Sequence, residues 1–209
     1  MRDQLLGAMQ PVLSISLDPG ESVVAEVGQF AWMTDSIEMA AAGAAQHEPW
    51  LCVYTATGEP GVVAFASRLP GSILSVDIGP GCEGRLVRES SFLAGTPGVQ
   101  VAADTGPVTS GPPDGDRLAL WRIGGTGRAW VQLPGDVVRR ELTAGQSLRA
   151  HPGHIGMVDT TITIQVTQVR DVPGRDAYPC AVLSGPGVVW LRSMPVSAGL
   201  ERGTTARSA

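Results

Sequence analysis

No lysine occurs anywhere in the chain; all fifteen basic residues are arginine, set against twenty acidic ones for a formal net charge of −5. An acidic chain without a basic run lacks the electrostatic footprint that sequence-independent nucleic-acid binding or docking on an anionic lipid surface requires, so no nucleic-acid partner is expected and membrane-surface association is disfavoured. Cysteine is scarce too. Cys52, Cys82 and Cys180 are widely separated, show no CxxC spacing and are odd in number. They read as small buried hydrophobes in a reducing compartment, which points to a cytoplasmic protein. Long apolar runs are missing: Met39 to Ala45 is the longest such stretch, against the roughly 20 residues that cross a bilayer. Met1 to Gln10 lacks the apolar segment of a secretory signal.

What is present is turn punctuation and enough apolar residue to build a core. The 209 residues are 43% hydrophobic and 17% charged, with 27 glycines and 16 prolines. Many of these fall in pairs such as Pro19-Gly20, Pro60-Gly61, Pro70-Gly71, Pro80-Gly81, Pro134-Gly135 and Pro186-Gly187, each of which marks a turn. Length and composition predict one folded all-β domain over residues 1–192. The stretch from Ser193 to Ala209 offers little to bury and is expected to be a disordered tail.

Self-similarity is the strongest signal. Val12–Leu17 before Gly20, Ile73–Ile78 before Gly81 and Val137–Leu142 before Gly145 share one pattern. Leu17, Ile78 and Leu142 each stand three residues before the turn glycine, and Leu13, Leu74 and Val138 four residues earlier. Even spacing puts these aliphatic positions on one strand face, with Ser14, Ser75 and Arg139 on the other. A second run recurs as Gly61-Val-Val-Ala-Phe65, Gly127-Arg-Ala-Trp-Val131 and Gly187-Val-Val-Trp-Leu191, in which Trp130 and Trp190 occupy the position of Ala64 and read as packing groups. The pattern predicts three diverged copies, at about 12–72, 73–136 and 137–192.

Helix signals are weak. Ser36 to Gln46 is Ala-rich but interrupted by Gly43 and stopped at Pro49, so a loop or a one- to two-turn helical excursion is expected there. Asp104 to Asp116 and Val169 to Pro179 read as surface loops. Gly124-Gly125-Thr126-Gly127 lacks the Lys-Ser/Thr ending of a phosphate loop and precedes a strand, so it reads as a β-turn.

The run Leu17-Asp-Pro-Gly-Glu-Ser-Val-Val-Ala-Glu26-Val-Gly28, followed by Phe30-Ala-Trp-Met33 and Ile37-Glu-Met39, resembles the altered-inheritance-of-mitochondria family, bacterial relatives of a mitochondrial biogenesis protein. Ser91-Phe92-Leu-Ala94 and Gly145 to His154 carry the same resemblance, which covers roughly residues 12 to 192. It implies a fold like the double-stranded β-helix or the tryptophan RNA-binding attenuator, as a β-sandwich or barrel that self-associates, and implies no enzymatic activity and no cofactor. The Lys-rich insertions of that family have no counterpart here.

One arrangement could carry metal chemistry. Gly145, His151, His154 and Asp159 resemble a degraded first cupin motif, in which three side chains from neighbouring strands hold a divalent metal with open positions. The histidine spacing is one residue too long, Asp stands for Glu, and no second motif follows Gly185. Alignment of the copies sets His154 against Gln29 and Ser91, and His151 against Glu26; a polar side chain bonding a backbone group at the turn explains the first set. Ser90-Ser91 lacks a nucleophile elbow, the cysteines have no base nearby in sequence, His47 has no identifiable partner, and Asp114 and Asp116 lie in a Pro/Gly loop. The sequence therefore favours a noncatalytic structural or protein-interaction domain whose partner is itself or another protein. The alternative is a cupin-like metal-dependent or small-molecule-binding enzyme using His151, His154 and Asp159.

Overall fold

The structure, a computed structural model, describes residues 1–42, 51–79, 84–104, 118–172 and 175–195. Alternating burial makes strands of nearly all of it. The first third holds β1 (Arg2–Leu6), β2 (Val12–Leu17), β3 (Ser22–Glu26), β4 (Phe30–Met33), β5 (Ile37–Ala41), β6 (Leu51–Ala56) and β7 (Gly61–Ala66). Then come β8 (Gly71–Ile78), β9 (Arg85–Arg88), β10 (Phe92–Gly95), β11 (Val99–Asp104), β12 (Leu120–Gly125) and β13 (Gly127–Pro134). The last third holds β14 (Val137–Leu142), β15 (Ser147–Ala150), β16 (Ile155–Asp159), β17 (Thr163–Val172), β18 (Arg175–Ser184) and β19 (Gly187–Arg192), with one 3-10 turn at Pro152–His154.

These strands form four antiparallel sheets, none closed, in the orders β1-β2-β7-β4, β5-β6-β3-β10-β13-β8, β11-β12-β9-β16-β19-β14 and β15-β18-β17. Three apolar clusters fill the spaces between them. The first gathers Leu13, Ile15 and Leu17 of β2 with Tyr54, Phe65 and Trp130; the second Ile78, Val87, Phe92, Ile123 and Val131; the third Leu86, Ile155, Ile164, Leu183 and Val189. The long sheets belong to two clusters at once. In β13, Trp130 packs into the first cluster while its neighbours Ala129 and Val131 pack into the second, as the period-two alternation of a strand with both faces covered demands.

Turn chemistry explains the strand ends. The Glu21 N–H donates to Asp18 O at 2.9 Å and the Gln146 N–H to Thr143 O at 3.0 Å, with Gly20 at φ +84° and Gly145 at φ +83° in the left-handed third position. Each turn is tied a second time from its fourth residue, by Asp18 N–H to Glu21 Oε2 and Thr143 N–H to Gln146 Oε1, both 2.9 Å. A one-residue register irregularity recurs at Ala31 in β4, Leu93 in β10 and Gly156 in β16, where each strand meets its partner β7, β13 or β19.

Several expectations meet corrections here. Ser36 to Ala41 is no helical excursion: Ile37–Ala41 is β5, paired with β6 from Ile37↔Ala56 to Ala41↔Cys52, so sheet pairing overrides the Ala-rich composition. Within Val169 to Pro179, residues 169–172 and 175–179 are no loop but facing parts of β17 and β18, paired out to Val172↔Arg175. Val138 is exposed although it shares a strand face with Leu142, because β14 is the last strand of its sheet. The strand β1 had no sequence signal at all. The β-turn expected at Gly124 to Gly127 is instead a bend at Thr126 alone, where the chain passes from β12 in one sheet to β13 in the next and the Thr126 N–H donates to Gly98 O at 2.9 Å. Residues 43–50, which hold the rest of the expected excursion and His47, the expected turn at Gly81 with Cys82, most of the expected loop, 105–116, and most of the expected tail, 196–209, lie outside the described residues.

Candidate functional site

His151 and His154 flank the short Pro152–His154 turn between β15 and β16, with ring centroids 6.0 Å apart. Their nitrogens serve the backbone. His151 Nδ1 accepts from the Gly153 N–H at 3.1 Å, and its ring lies 5.2 Å from that of Tyr178. His154 Nδ1 lies 2.8 Å from Arg192 O, a bond in which the imidazole must donate because a carbonyl only accepts. Asp159 sits at the far end of β16, where it accepts the Val188 N–H at 2.8 Å and pairs with Arg85 at 3.1 Å. Among the described residues no group of three or more His, Cys, Asp or Glu side chains is gathered closely enough to hold a metal ion.

The bond made by His154 has a counterpart at Gln29. With its amide oriented to suit its neighbours, Gln29 donates to Ala66 O and accepts from Arg68 Nε and Gln132 Nε2, each at 2.9 Å. Gln132 in turn donates to Ser90 O at 2.9 Å and accepts the Arg68 backbone N–H at 3.1 Å, as Arg192 Nε donates to Gly153 O at 2.9 Å one junction further along. These buried polar groups satisfy backbone atoms where adjoining turns meet. Glu26 lies among them. Burial pushes its carboxyl above the ordinary value, with Glu89 acting in the same direction, against the opposing pull of Arg68 at 2.9 Å.

A different kind of surface lies at β4. This strand pairs with β7 on one side, and its other side is unpaired among the described residues. Phe30 is 40% exposed and Trp32 48%, with Val27 exposed beside them. Phe30 stacks on the buried Tyr54 at 5.9 Å, so it forms the open end of the first apolar cluster. Burial pushes the Tyr54 hydroxyl up to about 12. Among the described residues β15 pairs with β18 only, with Arg149 exposed and Leu148 and Ala150 half-buried. Sequence reasoning placed no strand in either region and so could not see these edges. A helix long and apolar enough to cross a membrane is absent among the described residues.

A crystal structure of a Streptococcus pyogenes protein superposes on the chain with a TM-score of 0.73 at 15% identity, covering 93% of this chain and 94% of that one. At that identity the likeness speaks for the fold. No curated protein matches. The family model for Mitochondrial biogenesis AIM24 matches residues 4–194, nearly the whole of the described framework, and the chain belongs to that family.

Proposed function

We propose that this chain is a noncatalytic cytoplasmic scaffold that self-associates, built from three diverged copies of one six-strand sandwich of the double-stranded β-helix or attenuator type. The observation that carries the reading is the strand pairing. The first, sixth and third strands of each segment run β2-β7-β4, β8-β13-β10 and β14-β19-β16, while the fourth, fifth and second run β5-β6-β3, β11-β12-β9 and β17-β18-β15. The shared turn geometry at Gly20 and Gly145 and the register irregularities at Ala31, Leu93 and Gly156 support the same division. In this reading Gln29 and Arg68 of the first copy bond Gln132 of the second, while His151 and His154 bond backbone groups within the third. Free Cys52 and Cys180 suit a reducing compartment.

Sedimentation equilibrium on untagged protein tests self-association, with a defined oligomer expected at micromolar concentration. A strictly monomeric species across that range would overturn it. Elemental analysis of the same sample tests the competing cupin-like reading of His151, His154 and Asp159, which a stoichiometric transition metal would favour.

A further inference from the structure

The geometry points to a specific mode of assembly, which rests on the scaffold reading above: β15 of one copy pairs antiparallel with β4 of the next, head to tail. The template lies inside the chain. At the first internal junction β3 pairs with β10, Ala25 opposite Ala94 and Val24 opposite Gly95. At the second, β9 pairs with β16, Val87 opposite Met157 and Leu86 opposite Val158. In both cases the second strand of one segment joins the third strand of the following segment. That leaves over one second strand, β15, and one third strand, β4, each unpaired on its junction side among the described residues and not paired with the other.

The apolar surface marks β4 as a junction strand left uncovered. In β10, Phe92 and Ala94 are 1% and 0% exposed, and in β16, Ile155 and Met157 are 0% and 1% exposed. Their counterparts in β4 are Phe30 and Trp32, fixed by pairing with β7 at Phe30↔Phe65 and Trp32↔Ala64, as Phe92 and Ala94 pair with Val131 and Trp130 of β13. Among the other outer strands, β5, β11 and β17 end a sheet in every segment of the described residues, whereas β8 and β14 hold the place that β2 holds in the first segment, where β1 covers it. An exposed apolar edge is a template for pairing with another chain, and a second copy of this one carries the matching strand. Carrying the internal register across sets Ala150 opposite Trp32 and Arg149 opposite Met33. Such an interface is heterologous, so repeated addition gives a ring if the rotation closes and a filament if it does not.

Two single-edge variants of the full chain test this. Trp32→Glu blocks the β4 edge, and Ala150→Glu blocks β15; Arg149→Pro blocks the same edge should Ala150→Glu fail to keep a native circular dichroism spectrum. Wild type is expected to be an oligomer by native mass spectrometry, each folded variant a monomer, and an equimolar mixture of a β4 variant with a β15 variant a 1:1 dimer through the one intact edge of each. If wild type associates but both variants keep its mass, self-association stands and the edge pairing is overturned. Monomeric variants that do not combine also overturn it, because they exclude the head-to-tail rule. A monomeric wild type overturns the scaffold reading together with this one.

Discussion

Trp130→Ala tests whether the three apolar clusters behave as one folding unit. The indole is almost wholly buried in the first cluster, yet the strand that carries it lies in the sheet shared with the second. Removing a buried Trp costs about 3–5 kcal/mol in lost transfer energy and cavity, a large part of the roughly 5–15 kcal/mol that holds most domains folded. A smaller share is polar. The indole N–H donates to Asp3 Oδ2 at 3.2 Å, and Asp3→Asn, which keeps the shape and removes the charge, is expected to cost about 0.5–1.5 kcal/mol. The assay is urea unfolding followed by circular dichroism and by tryptophan fluorescence. Because β3, β10, β13 and β8 run side by side in one ladder, the loss is expected to appear as a single shifted transition with an unchanged denaturant slope. Val131→Ala, aimed at the second cluster from the same strand, should shift the same transition, by about 1–3 kcal/mol. Two separated transitions, with Trp130→Ala moving only one, would refute the coupling argued from the shared sheet.

Glu26→Gln should raise the urea midpoint at neutral pH. A carboxyl whose folded value is raised binds its proton more readily folded than unfolded, so its charged form costs stability as pH rises from the ordinary carboxylate value through the raised one. The advantage of the variant should shrink as the pH falls below that ordinary value, and a constant difference across pH would count against the burial argument. Gly127→Ala and Gly124→Ala make a matched pair on the two sides of the bend at Thr126. The first forces a side chain into φ +126° and against Thr96 Oγ1, and should lower stability by more than about 1 kcal/mol; the second meets open space and should be close to neutral in thermal melts. His154→Ala, which removes the donor to Arg192 O, should cost about 1 kcal/mol, whereas His154→Gln should recover most of it, as Gln29 makes the corresponding bond to Ala66 O.

The legible part of this fold is the part written in alternation and turn residues. Val12–Leu17 shows buried Leu13, Ile15 and Leu17 at every second position, and Asp18-Pro19-Gly20 ends it with a left-handed glycine, so the strand and its turn follow from local chemistry. Where composition and pairing conflict, pairing wins: Ile37–Ala41 is Ala-rich and still becomes a strand, because β6 presents an unpaired edge beside it. The outer part of the β17–β18 ladder was hidden for a related reason. Pro173-Gly174 and Pro179 look like loop punctuation, and only the register from Thr163↔Ser184 outward shows that the ladder continues past Pro179.

The candidate site was half legible in a more instructive way. Aligning the copies sets Phe30 beside Phe92 and Ile155, three large apolar residues at one position, which says that the position is meant to be covered. It does not say by what, since the cover in β10 and β16 comes from a strand about seventy residues away that joins through backbone hydrogen bonds, and these leave no trace in side-chain pattern. On the proposed division into three copies, two such joins form and one strand of each kind is left over. On the proposed head-to-tail pairing, the apolar character of Phe30 and Trp32 answers the same requirement that put Phe92 and Met157 in the interior, and the covering strand would come from a second copy.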